Sequence, residues 1–400
     1  WHCERDVMSS CSRPPLEVAD VFRLSGAQYK QSQHGHLSLA QLKVMSAIAR
    51  CRSAQLGAHH LHCEHCHTDA IAYNSCRNRH CPKCQGSSAK RWFAAREQQL
   101  LPVEYYHVVF TLPGEVAQLA FYNKAQMYQL LFKAASQTLL TIAGDTRHLG
   151  AEVGTTMVLH TWGSSMMHHP HVHCIVPGGG LDKAKQWKAC KKGFFLPVRV
   201  LSRLFRRLYM QGVRELYEST QLLCFGELTQ TSGFEHAGHF MAWCKQQQSM
   251  EWVVYAKPPF AGPQAVLKYL SRYTHRVAIA NRRLQSIDET HVSFTYKDYR
   301  RKGNNMHRTM QLTCDEFMRR FLLHVLPTGF HRIRHYGLLA SKAKLNMARQ
   351  ALHVAPPPDI KKTANESETD SAPFVCRQCQ SPMKMSALRL PAYLPRAPPK

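Results

Sequence analysis

Tyr269 and Tyr273 stand four residues apart in Lys268-Tyr269-Leu270-Ser271-Arg272-Tyr273, and His171 and His173 flank Val172 earlier in the chain. A spacing of four sets both phenols on one side of a helix. Alternate histidines on a strand project from one face of a sheet, where they can share a metal ion, while Val172 turns to the other face. Such a set suits a site that breaks and rejoins a phosphodiester through a tyrosyl intermediate, the second phenol serving a second transfer. A phenol with a pKa near 10 is a weak nucleophile at neutral pH, so the metal's task is to polarise the phosphate and stabilise the charge of the transition state. Two imidazoles favour Mn2+ over Mg2+ relative to an all-oxygen site, and the phosphate oxygens and waters that complete the shell allow either. His169 has the strand parity of His171 and His173 and is the candidate for a third ligand, although Pro170 can twist it away.

Chance sets the weight of these spacings. With 15 Tyr and 25 His in 400 residues, random placement yields about half of one Tyr-x3-Tyr pair and about one or two His-x-His pairs. His34-Gly35-His36 and His65-Cys66-His67 are such pairs, yet only His171-Val172-His173 has an apolar centre and runs on into Cys174-Ile175-Val176-Pro177 and a triple glycine. That run reads as a buried strand ended by a turn. On spacing alone the tyrosines fit an ordinary helix face packed on a sheet. Their company reverses this: Lys268, Arg272, His275, Arg276, Arg282 and Arg283 are cations suited to a single-stranded nucleic-acid backbone.

The elements that must hold these residues follow from periodicity. Tyr105 to Leu112 is a β-branched and aromatic run stopped by Pro113-Gly114, hence a buried strand, and a long helix is expected from about Glu115 to Ile142. Thr155 to Trp162 and His171 to Pro177 read as adjacent strands of one sheet. Helices are expected over Arg199–Glu218 and Glu235–Gln248, strands over Glu251–Tyr255, His275–Ala280 and His291–Tyr296. Gly262-Pro263 starts the tyrosine helix, proline being tolerated in a first turn. Thr313-Cys314-Asp315-Glu316 is a capping box that starts another helix. Gly329 to Gly337 is basic and aromatic, a phosphate-gripping segment that includes Arg332 and Arg334.

Residues Leu16 to Cys51 read as two helices leading into a cysteine-rich module. Cys63-x2-Cys66, fourteen residues, then Cys81-x2-Cys84 is the spacing of two knuckles that close one tetrahedral Zn2+ site, with Cys76 or His80 near enough to replace a ligand. Arg77, Arg79, Lys83, Lys90 and Arg91 surround it, as in a DNA-gripping zinc ribbon. From Pro356 the composition turns to Pro, Ser, Lys and acidic residues, so a mostly disordered tail is expected, with Cys376-x2-Cys379 as half a knuckle. The chain opens on Trp, as a fragment or a mis-assigned start would, and little rests on its first dozen residues.

Fifty-two Lys and Arg against 26 Asp and Glu give a formal charge of +26, beyond what solubility needs and suited to a long polyanion. No apolar run approaches a membrane span and the first residues have no signal-peptide core, so a cytoplasmic protein with no membrane partner is expected. Fifteen cysteines without a secretory signal point to metal or reduced thiols rather than disulfides.

Four blocks stand in order: Asn74 to Gln85 around the second cysteine pair, His169 to His173 with the triple glycine, Tyr269 to Ile279, and Gly329 to Gly337. Over about residues 16–345 this order resembles the two-tyrosine HUH transposases of bacterial rolling-circle insertion sequences. The resemblance implies an α+β fold in which a ferredoxin-like antiparallel sheet carries the histidines and the tyrosine helix packs across it, after a small helical, zinc-ribbon domain. It implies residues 1–100 as the zinc-binding DNA-contact domain, 101–290 as the catalytic domain, 291–355 as a basic extension and 356–400 as the tail. It implies structural Zn2+ and catalytic Mg2+ or Mn2+. Tyr269 and Tyr273 would act on single-stranded transposon ends and target DNA, one leaving a 5′-phosphotyrosine and a free 3′-hydroxyl, with no small-molecule substrate. Arg77, Arg79, Arg272, Arg276, Arg282, Arg332 and Arg334 are the DNA-contact candidates. A replication initiator or relaxase would share the chemistry, and a zinc-dependent DNA-binding regulator would need none of it.

Overall fold

The computed structural model describes residues 15–191, 193, 195–230, 232–257, 265, 267, 277–298, 306–355 and 374–388. Tyr269, Tyr273, Arg272 and Arg276, with most of the expected His275–Ala280 strand's first residues, lie outside the described residues. In chain order the strands are β1 (Ala58–His62), β2 (Asp69–Tyr73), β3 (Tyr105–Thr111), β4 (Gly154–Trp162), β5 (His168–Pro177), β6 (Gly179–Leu181) and β7 (Trp187–Ala189). They continue with β8 (Val254–Lys257), β9 (Leu284–Ile287), β10 (His291–Lys297), β11 (His307–Thr313), β12 (Ile333–Gly337) and β13 (Lys384–Leu388). The class is α+β with antiparallel sheets, as expected. Among the described residues no helix is long and apolar enough to cross a membrane.

The chain divides into two units, and neither is a single stretch of sequence. One comprises Trp1–Gly86, Ile279–Leu322 and Asp359–Lys400, the other Ser87–Ala278 and Leu323–Pro358. This differs from the expected succession of four segments. β12 and the helix Lys342–Ala351 belong with the histidine strands rather than to a separate extension, and residues 374–388 of the expected tail contribute β13 beside β1. Strand pairing between distant segments leaves no mark on local composition, which is why the boundaries were not readable there.

In the first unit three short helices, Val18–Leu24, Gly26–Ser32 and Leu39–Arg50, precede β1. The third starts where Ser38 Oγ accepts from the Gln41 N–H at 3.3 Å and Gln41 Oε1 accepts from the Ser38 N–H at 2.9 Å, a reciprocal cap that satisfies two otherwise orphaned donors. It buries Val44, Met45 and Ile48. The helix start expected at Thr313 is present, the Thr313 hydroxyl accepting from the Glu316 N–H at 3.2 Å, while the Glu316 carboxylate accepts from Arg319 and Arg320. That helix, Cys314–Leu323, packs Phe317 against Phe294 of β10 and Phe321 against Phe22, edge to face in both cases.

The second unit is built on a five-stranded sheet in the order β12-β4-β5-β3-β8. All four pairings are antiparallel. One face is closed by the helices Lys124–Gly144 and Val198–Glu218, whose Tyr128, Leu131, Phe132, Phe205 and Tyr209 form a core with Val108, Phe110, Met157, Leu159, Val172 and Cys174 from alternate strand positions. The helices approach closely at Gly212, where a Cβ would collide with Leu130. The long helix expected over Glu115–Ile142 is two helices, Gly114–Tyr122 and Lys124–Gly144. Asn123 breaks it because its amide is claimed by a loop: Nδ2 donates to the Leu223 carbonyl at 3.0 Å and Oδ1 accepts from the Leu223 N–H at 2.7 Å.

β12 ends on Gly337 at φ +58°, ψ −134°, a region that only glycine enters freely. A Cβ there would also meet the Val153 carbonyl oxygen of the neighbouring segment and Leu140 Cδ2 at 2.9 Å. Gly337→Ala is therefore expected to destabilise the protein by about 2 kcal/mol or more. A thermal melt of the whole chain unchanged by this substitution would contradict the placement of β12.

Candidate catalytic metal centre

β5 is the central strand, and its alternation does what the spacing predicts: Val172 and Cys174 enter the helix-covered core while His171 and His173 turn to the opposite face. Antiparallel register sets the neighbours on that face. His160 of β4 pairs opposite His171, and Val158 opposite His173, with a bulge just beyond His160. Bulges re-aim side chains at sheet edges and sites, and here the His160 ring comes to 4.3 Å from the His173 ring and 5.4 Å from that of His171. One ring nitrogen from each of His160, His171 and His173 lies within 4.8 Å of the others.

Two of these rings are oriented by hydrogen bonds that leave the other nitrogen for a ligand. His171 Nδ1 donates to the His169 carbonyl at 2.7 Å, so its Nε2 carries the lone pair. His173 Nδ1 lies 2.7 Å from Nε2 of His107 on β3, with a single N–H between them. Outer partners of this kind fix the tautomer of a metal-binding imidazole. Burial lowers His171 to about 4 and His173 well below its ordinary value, because charging an imidazole away from water is unfavourable. At neutral pH both are uncharged, the form that binds metal.

The third imidazole is His160, not His169. His169 is exposed, and its contribution is the carbonyl that holds His171. His169 is two positions from His171 but four from His173, about 13 Å along the strand, whereas His160 pairs across from His171 and its ring also reaches that of His173. The signal was present in the sequence, because Thr155–Trp162 read as the adjacent strand and His160 lies in it.

Further polar groups line this face. His335 of β12 stands opposite Thr156. Its Nδ1 donates to Thr156 Oγ1 at 2.9 Å while Nε2 accepts from the Arg96 guanidinium at 3.1 Å. Tyr255 and Lys257 of β8 share the face through register with Val109 and His107. Ala265 and Leu267 are helical, and Leu267, 3% exposed, packs against Tyr105 and Ile175. Ile175 is two residues from His173 and on the same side of β5. Leu267, two residues before Tyr269 in sequence, therefore packs on the histidine face.

The cysteines resolve into two tetrads in the first unit. Cys81 and Cys84 meet Cys51 and Cys76, while Cys63 and Cys66 meet Cys376 and Cys379. The single site expected from Cys63, Cys66, Cys81 and Cys84 is thus divided, since each pair finds partners that a local spacing rule does not include. Of the two substitutes considered, Cys76 is in the first tetrad, while His80 is buried and bonded to Asn78. Sulfur contacts with Cys51 and Cys76, at 3.4 and 3.6 Å, pull Cys84 towards the thiolate. Lys83, between the two knuckle cysteines, buries its ammonium on Glu17 Oε2 and the Cys51 carbonyl, both at 2.8 Å. Arg77, Arg79 and Arg282 are exposed. Arg332 is 9% exposed, and Arg334 stacks over Phe132 and Phe330 and donates to Gln129 at 2.6 Å. The segment expected to grip phosphate thus spends these two guanidinium groups on internal packing.

Comparison with known proteins matches two families in succession along the chain. Residues 154–346 match the family described as "Putative transposase", and residues 21–112 match the "Transposase zinc-binding domain" family. The chain is 50% identical over 350 residues to "Putative transposase y4qJ" of Sinorhizobium fredii, covering 86% of each chain. It is 26% identical over 386 residues to "Transposase for insertion sequence element IS801" of Pseudomonas savastanoi pv. phaseolicola, covering 93% of this chain and 90% of that one. No solved structure matches it significantly. The histidine triad falls within the first family match and the tetrad of Cys51, Cys76, Cys81 and Cys84 within the second, and the chain belongs to the two-tyrosine transposase family of bacterial insertion sequences, with that family's amino-terminal zinc-binding domain.

Proposed function

We propose that this transposase cuts and rejoins single-stranded DNA at transposon ends, in the cytoplasm, through 5′-phosphotyrosine intermediates on Tyr269 and Tyr273, as in rolling-circle transposition. The observation that supports this most is the gathering of three imidazoles on a sheet face against which Leu267, two residues before Tyr269 in sequence, also packs. Three uncharged nitrogen donors fit a divalent ion, and favour Mn2+ over Mg2+ more than two would. An ion held by His160, His171 and His173 would polarise the scissile phosphate and offset the charge of the transition state.

In the cleavage step one tyrosine oxygen bonds to phosphorus, the bond from phosphorus to the 3′-oxygen breaks, and that oxygen departs as a hydroxyl carrying the proton the phenol gives up. In the rejoining step a 3′-hydroxyl attacks the phosphotyrosine and returns the phenol. Two tyrosines let one strand stay covalently held while another is cut. The roles of His107 and the His169 carbonyl are to aim His173 and His171, and Arg96 and Lys257 offer cations to the strand on that face.

The test is a denaturing gel of the protein incubated with single-stranded oligonucleotides spanning the element ends. A covalent adduct is expected with Mn2+ or Mg2+ and none with chelator or with duplex. No adduct under any metal would leave a DNA-binding regulator as the reading. His160→Ala is expected to lower adduct formation on the order of 100-fold, and His107→Phe by about 10- to 100-fold with a higher Mn2+ requirement. If His160→Ala behaves as the unaltered chain while His169→Ala is inactive, the ligand assignment fails.

A further inference from the structure

The tetrad of Cys63, Cys66, Cys376 and Cys379 lies partly beyond both family matches, which end at residues 112 and 346. We infer that it is a second structural zinc site, in which the carboxy-terminal segment returns to supply half of the ligands and closes the β1–β2 hairpin into a three-stranded sheet.

The two halves are built alike. Cys63-x2-Cys66 is followed by His67 at φ +56°, and Cys376-x2-Cys379 by Gln380 at φ +61°. In the first, the Cys63 N–H donates to the Thr68 carbonyl at 3.0 Å and the His67 N–H to the Cys63 carbonyl at 2.8 Å. In the second, the Cys376 N–H donates to the Ser381 carbonyl at 2.8 Å and the Gln380 N–H to the Cys376 carbonyl at 3.0 Å. Each turn thus presents two thiols from the same backbone shape, the arrangement of a metal knuckle.

The distances fit a tetrahedral ion. Thiolates about 2.3 Å from zinc stand about 3.8 Å apart along a tetrahedron edge. Here Cys66 and Cys376 sulfurs are 3.3 Å apart, Cys63 and Cys379 sulfurs 3.4 Å, and all four lie within 4.8 Å. Cys63 and Cys376 are fully buried, and four sulfurs select zinc or iron over harder ions. Around the site the chains are stitched by the Thr68 hydroxyl donating to Gln378 at 2.7 Å and by an ion pair of Lys384 with Glu64.

Among the described residues the sheet has little apolar support. β13 pairs with β1 from Ala58 opposite Leu388 to His62 opposite Lys384, and β2 pairs along the other edge of β1. β2 opens with three exposed residues, Ile71 is 50% exposed and Met385 53%. So small an apolar core does not hold three short strands in water, and a metal staple is the common remedy.

Metal content of the full chain, purified reduced, tests this directly. Two zinc ions per chain are expected, falling to one in Cys376→Ser/Cys379→Ser, with the one left still bound by the first tetrad. One zinc in the unaltered chain, or two in the double variant, overturns the proposal. Titration of the metal-stripped, unaltered chain with Co2+ avoids dependence on the variant's folding. Sulfur-to-cobalt absorption should saturate at two equivalents, the histidine triad adding none of it; saturation at one equivalent overturns the site. Neither readout involves DNA or the tyrosines.

Discussion

The double variant Tyr269→Phe/Tyr273→Phe is expected to form no covalent DNA adduct while binding single-stranded element ends as the unaltered chain does. Phenylalanine keeps the ring, its volume and its helix propensity, and removes one oxygen from each side chain. A role in packing alone would leave activity intact, whereas a role as nucleophile removes the atom that bonds to phosphorus. Adduct formation should fall at least about 10³-fold, to background, because neither side chain keeps an oxygen that can bond to phosphorus, and water attacking in its place would release a free 5′-phosphate rather than a protein-bound one. Each single variant divides the reaction further. One phenol suffices for cleavage, so one of the two should still yield an adduct, yet neither should complete strand transfer between two ends. Equal strand transfer by both single variants would reduce the second tyrosine to a bystander. Loss of DNA binding in the double variant would shift the reading towards packing or recognition. His160→Ala provides the contrast: its loss should depend on metal concentration, and that of the tyrosine variants should not.

What the sequence made legible here is local. Strand alternation placed β3, β4, β5 and β10 within a residue or a few, and put His171 and His173 on one face. Cap chemistry at Thr313 and the apolar spacing after Ser38 located two helix starts. What escaped were most relations across distance. His160 meets His171 through strand register, Cys63 meets Cys379 across 316 residues, and β12 joins β4 from far along the chain. Pairing across such spans is decided by how complementary edges and faces find one another after collapse, and no single residue announces its partner. Composition was silent in the same way about residues 374–388. A Pro-, Ser- and acid-rich tail lowers the expected hydrophobic gain, but the described stretch 374–388 is held by backbone pairing and sulfur, neither of which a hydropathy argument counts. Basic residues were the least legible: Arg334 looked like a phosphate contact by type and is stacked on Phe132, because charge at neutral pH says nothing about which surface a guanidinium covers.

The largest structural effect is expected from Cys81→Ser/Cys84→Ser. These residues supply half of the first tetrad, and in small zinc domains the metal contributes about 10–16 kcal/mol of apparent folding free energy, more than the whole stability of an ordinary domain. Losing the knuckle also strands its neighbour. Lys83 and Glu17, 7% and 1% exposed at their side chains, are held face to face by the turn between Cys81 and Cys84, and a buried pair that loses its geometry costs about 3–5 kcal/mol. Both effects fall on the first unit, where the helices Val18–Leu24 and Leu39–Arg50 pack near Cys51. The variant should lose one zinc ion, become protease-sensitive within residues 15–86, and bind DNA more weakly, while fragments from the second unit stay resistant. Replacing the ion pair alone, Glu17→Gln with Lys83→Met, separates the two contributions: zinc should remain and the melt should change by far less. Full zinc content and unchanged proteolysis in Cys81→Ser/Cys84→Ser would show that the first tetrad holds no metal and that packing alone supports this unit.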